Sequence, residues 1–230
     1  MFIMFGFAVS VLFASSSDES FVALDGLIFV GSFFVGIAIA VFVGIFIGTE
    51  YSDGTLRSKL TSGHSRIMVY LANLISCTAA ALMLHLIYIA VIICAGIPWL
   101  GNLEMPFETT LIFVLCSIVT MCAFAAIFMF ISMLVPIKSS GVTLTIIASM
   151  LILVLSFTIR SSLDNPEYLS DTKLRIFKFL YDFMPSGQIF QIAGTNIVPD
   201  NIERFPLYSL LIIAITTAFG ALLFRRKDLK

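Results

Sequence analysis

Charge is scarce in this sequence: Asp, Glu, Lys and Arg make up 12% of its 230 residues, about half of the roughly 25% usual in soluble domains. The first basic residue is Arg57, so the apolar N-terminal run lacks the positive start of a cleaved signal peptide. Histidine is scarcer still, with only His64 and His85. No HExxH, GxSxG or Cys/His cluster occurs, which leaves a metal or triad enzyme nothing to be built from. The phosphate-binding pattern GxxxxGK[ST] is also missing, so any ATP must be bound by another chain. Cys77, Cys94, Cys116 and Cys122 sit inside apolar runs without CxxC spacing and read as small packing residues. All fourteen acidic residues lie in loops or at the ends of apolar runs, which counts against an ion-coupled transporter with mid-membrane carboxylates. A chain with no catalytic residue, no metal, no cofactor and no nucleic-acid partner is expected.

Apolar surface is what the sequence has: 60% of the residues are hydrophobic and the mean hydropathy is +1.08. The apolar runs 1–14, 26–49, 67–97, 109–135, 141–158 and 207–224 predict about six spans. Strand-period alternation is absent, so the expected fold is all-α: a polytopic integral membrane helical bundle forming one domain over residues 1–230. The run Gly26–Thr49 carries no charge and as a helix would be about 36 Å long, enough for a hydrocarbon core of roughly 30 Å. Residues Met1–Ala14 would reach only about 21 Å. The expectation there is a short span supported by its neighbours, or a chain whose start lies upstream.

Placing the segment 50–66 in the cytoplasm and alternating sides gives that side eight basic residues (Arg57, Lys59, Arg66, Lys138, Arg225, Arg226, Lys227, Lys230) against three acidic ones, a net of +5. The outer side has five basic and eleven acidic residues, a net of −6. This orientation satisfies the positive-inside rule and puts the C-terminus in the cytoplasm of a cell membrane. The outer segment, about 159–206, contains the amphipathic stretch Lys173–Tyr181 and then Met184-Pro-Ser-Gly187, which predicts short interfacial or re-entrant helices. In the second span, Ser32, Gly36, Ala40, Gly44 and Gly48 recur every fourth residue. Such a small-residue stripe serves close helix packing within the chain or between two copies.

The loop 50–66 is the most polar cytoplasmic stretch. Ser52, Asp53 or Thr55 is a candidate N-cap, Leu56 and Leu60 fall on one face, and Gly63 is a candidate C-cap. Two turns of helix are therefore expected across the cytoplasmic mouth, with Arg57 and Lys59 exposed and the two leucines presented to a soluble partner. His64 reads as a solvated linker residue. His85, alone in mid-span, reads as a hydrogen-bonded packing residue, since a proton relay needs charged partners that no span supplies.

The run Glu50-Tyr-Ser-Asp-Gly-Thr-Leu-Arg-Ser-Lys-Leu, followed by Gly63-His-Ser-Arg66 before an apolar span, resembles the coupling-helix loop of type-two ABC transporter permeases. The six-span layout, the Pro185-Ser-Gly187 break and the basic end Phe224–Lys230 are similar too; the basic amphipathic helix that usually opens the family has no counterpart here. The resemblance implies an exporter subunit of a bacterial plasma membrane, paired with a second permease as homodimer or heterodimer. Its Asp53–Ser62 would dock on a separate cytoplasmic ATPase that binds ATP and Mg. Glu50, Asp53, Gly54, Thr55, Leu56, Arg57, Lys59, Leu60 and Arg66 would be the coupling residues. Glu50 would bond the coupling helix or pair with Arg57 or Arg66; as a plain residue it is a helix-end carboxylate. The rival reading is a non-transport membrane module that senses or sequesters an antimicrobial, and a channel is a third.

Overall fold

A computed structural model describes residues 28–100, 105–193, 198–199 and 201–227. Among them the chain is helical, with no strand. Five helices are long and apolar enough to cross a membrane: α1 (Ser32–Ser52, a span that begins at Ile28), α3 (Arg66–Leu100, apolar through Cys94), α4 (Phe107–Leu134), α5 (Lys138–Leu163) and α8 (Arg204–Arg226). The shortest of these spans has 23 residues and the longest 29, about 35 to 44 Å at the helical rise. They correspond to five of the six runs read from hydropathy. The sixth, 1–14, lies outside the described residues. The described residues also form three short α-helices, α2 (Thr55–Thr61), α6 (Asp171–Phe183) and α7 (Pro185–Ala193), and a 3-10 turn at Pro166–Tyr168.

The spans alternate in direction, so α2, the α4–α5 turn and the end of α8 meet at one end of the bundle, and α6 and α7 lie at the other. At the first end Tyr51 donates to the Met133 carbonyl at 2.6 Å, and Arg66 donates to the last carbonyls of α8. α4 is the central helix, packed against α1, α3, α5, α7 and α8. Its Phe113, Met121, Phe128 and Met129 are fully enclosed. α5 and α8 turn Leu151, Phe157, Leu207 and Phe219 outward, each about 60% exposed, a surface compatible only with lipid or another apolar partner.

The small-residue stripe of α1 faces inward along its whole length. A Cβ on Gly44 would stand 2.8 Å from the Val142 Cα of α5, and one on Gly48 would stand 3.0 Å from the Lys138 Cα. Gly36 faces Phe124 of α4. The stripe therefore packs against α4 and α5 of the same chain.

Candidate functional site

The end of α1 and the start of α3 are joined by thirteen residues, Asp53 to Ser65, which must reverse the chain and satisfy four helix ends. Gly54 (φ 68°) makes the first turn and Gly63 (φ 93°) the last, both in the left-handed region that a side chain disfavours. After α2, the Gly63 amide bonds the Leu60 carbonyl at 3.1 Å and the His64 amide bonds the Lys59 carbonyl at 3.4 Å, a Schellman closure. Ser65 then caps α3, accepting from the Met68 amide at 3.2 Å. Gly63 closes α2 as expected, one residue past the C-cap Ser62. The expected N-cap is absent: none of Ser52, Asp53 or Thr55 caps α2, whose N-cap is Gly54. Instead Thr55 Oγ1 donates backward to the Glu50 carbonyl at 3.1 Å, and Ser52 Oγ to that of Thr49 at 3.1 Å. The Thr55 hydroxyl thus supplies a partner to one of the last carbonyls of α1, while the Thr49 carbonyl also accepts from the Asp53 amide at 2.9 Å.

Glu50 is the hub. One carboxylate oxygen pairs with Lys59 of α2, and the other accepts from Asn73 Nδ2 of α3 at 2.6 Å, so a single side chain ties α1 to both. It is only 12% exposed, where loss of either partner would leave a polar group unsatisfied. The partner is neither Arg57 nor Arg66. Arg57 is exposed, and Arg66 is drawn to the carbonyl end of α8, a favourable place for a cation. Leu56 reverses the expected direction: it is 2% exposed and part of the core, with Leu60 packed beside it. The two leucines anchor α2 to the bundle rather than offering it to a partner, because an exposed apolar pair gains more by joining an existing core. What α2 presents outward is Asp53, Gly54, Thr55, Arg57, Ser58, Thr61 and Ser62.

Between α1 and α2 lies a groove of about 470 Å³, with Phe42, Ile45 and Phe46 on its apolar wall and Thr49, Glu50, Asp53, Thr55 and Lys59 at its polar end. Beside it, Lys227 Nζ donates to the Tyr51 hydroxyl and the Met133 carbonyl, both at 2.9 Å, and lies over the Tyr51 ring. Burial lowers the Lys227 ammonium from its usual range. Asn73, Tyr51 and Lys227 carry this end of the molecule and were not foreseen. The signal for Asn73 was available, as a lone amide about two turns inside an apolar run.

At the other end, α7 enters the bundle through Pro185 as its first residue, a position suited to proline. A side chain at Gly187 would collide with the Tyr181 carbonyl. Gln188 is fully buried and bonded at both its oxygen and its nitrogen: the oxygen accepts from Thr120 at 2.9 Å and Ser209 at 2.8 Å, and the amide donates to the Asp182 carbonyl at 3.0 Å. His85 is enclosed and bonded through Nε2 to Ser117 Oγ at 2.8 Å. Ser117 donates its proton to the Val114 carbonyl, so the imidazole donates and Nδ1 is left as an acceptor without a partner among the described residues. His64 is exposed in the linker, as read from sequence. Among the described residues no three His, Cys, Asp or Glu side chains converge as a metal site would require.

In comparisons with known proteins, no family model matches the chain, and neither does any curated protein.

Proposed function

We propose that this chain is the permease subunit of an ATP-driven exporter of ABC type, which moves a hydrophobic or amphipathic substrate such as a peptide, lipid or drug. The observation that carries this reading is the way α2 is mounted. It is a two-turn helix between two spans, fastened to α1 through Glu50–Lys59 and Thr55 and to the core through Leu56, with Arg57 left outward. Through Glu50 and Asn73, a push on α2 passes to α1 and α3 together. A soluble ATPase gripping α2 in one nucleotide state more tightly than in another would bias the bundle between two arrangements, as any such coupling requires. In this reading the basic end of the bundle is cytoplasmic, two permease subunits enclose the path, and ATP and Mg belong to the partner. The loop's resemblance to the permease coupling helix supports the same reading.

The test is co-purification of the tagged chain from its native membrane. Capture of an ATPase is expected, and Arg57→Glu is expected to reduce it at least tenfold with the monodispersity of the permease unchanged. Glu50→Gln is expected to spare capture but to lower transport-coupled ATP hydrolysis. Failure to capture any ATPase would sink the exporter reading in favour of a non-transport module.

A further inference from the structure

The outward face of α6 is unlike the rest of the outer segment. This helix turns Tyr181 and Asp182 into the protein and leaves Ile176, Phe179 and Leu180 between 37% and 53% exposed. At about 100° per residue these three share one face with Phe183. Phe179 and Phe183 stack at 5.9 Å, and both meet Tyr208 of α8 edge-on at 6.0 and 5.9 Å. The stripe thus runs onto α8, where Leu207, Leu210 and Leu211 are exposed. Lys173 falls on one border of the stripe and Arg175 on the other; both are exposed, and neither has an ion pair among the described residues. The helix keeps its acidic residues off the stripe. Asp171 and Asp182 lie just past Arg175 on the wheel, four and seven residues from it, and Asp182 accepts from Gln191 at 3.1 Å and Asn201 at 3.4 Å. Lys178 also lies there, within the field of Asp182.

We propose that this face lies in the bilayer interface and binds anionic phospholipid headgroups, with Lys173 and Arg175 as their ligands. An apolar stripe edged by cations sinks to the acyl boundary while the long basic side chains reach up to the phosphates. The continuity with α8 favours lipid over a protein partner, since that helix already turns an apolar wall outward. A zwitterionic headgroup carries its own ammonium and leaves the two cations uncompensated; an anionic one does not.

The experiment uses the full chain in nanodiscs, with Trp99→Phe and Ile176→Trp providing one reporter, and Leu180→Trp providing a second should the first not fold. Quenching is compared for brominated phosphatidylglycerol in plain phosphatidylcholine and for the reverse mixture. Each cation near the surface favours the anionic lipid by about fivefold, so quenching by the glycerol lipid is expected to exceed that by the choline lipid several-fold. Lys173→Gln with Arg175→Gln is expected to bring the two to parity, and Lys178→Gln to leave the excess in place. Equal quenching before any charge is removed would overturn the headgroup assignment. Absence of quenching by either lipid would show a protein surface, such as a second copy, over the stripe and would overturn the proposal as well.

Discussion

Glu50 and Asp182 stand at opposite ends of the bundle and handle partial burial in different ways. Glu50 has a cation and an amide on its two oxygens, so its charge is answered within the fold. Asp182 has two amides, from Gln191 and Asn201, and only distant help from Arg204 and Lys178; burial is the dominant influence and raises its carboxyl above the ordinary value of 3.8. A carboxyl raised in the fold disfavours folding wherever it is charged. The penalty is complete above the folded pKa and vanishes below the unfolded one. Asp182→Asn should therefore stabilise detergent-solubilised protein at neutral pH, and that advantage should shrink as pH is lowered toward 4. Thermal melts of both proteins across this range check it, and an advantage that grows with acid would show the sign to be wrong. Neighbouring Tyr181 is pushed up to about 12, again chiefly by burial, with Arg160 opposing, and so stays neutral throughout the experiment.

At the level of elements, sequence reading succeeded where one residue type has one physical use. Gly63 ends α2 because a left-handed residue is required there, and Pro185 starts α7 because its missing amide costs nothing at a first turn. It failed where a side chain had two uses. Thr55 is as good a cap for the helix after it as for the one before, and only the reversal at Gly54 directs its hydroxyl to Glu50. Leu56 and Leu60 mark an amphipathic helix in either direction, and the core beneath them decided which. The stripe on α1 carries a prediction of the same scale. Gly44→Val forces a branched side chain against Val142 and Thr145 of α5, an overpacking that costs about 1–3 kcal/mol. Unfolding by a denaturing detergent should be easier for this variant by that amount and independent of protein concentration. Loss of stability only on dilution would mean that the stripe joins two chains.

The whole molecule is polarised: among the described residues the α2 end carries seven Lys and Arg against two Asp and Glu, and the opposite end five against six. Positive-inside insertion then predicts that Arg57→Cys reacts with an impermeant maleimide only in inside-out vesicles, and Glu167→Cys only in right-side-out cells. The reverse pattern would invert the membrane orientation and leave α2 unreachable by any cytoplasmic ATPase.

The sequence by itself determined that this chain crosses a membrane as helices, about where the five described spans run, and that a short helix interrupts the polar loop after Glu50. Hydropathy and turn chemistry are local quantities, and a bilayer leaves a long apolar segment little choice but helix. Only the tertiary structure decided which neighbour each residue meets. Asn73 reaches Glu50 across 23 residues, Gln188 meets Thr120 across 68, and Lys227 reaches Tyr51 across 176. Hydropathy assigns the same value to a leucine facing lipid and to one facing protein, so the inward turn of Leu56 and the outward turn of Ile176 became visible only when the helices were packed.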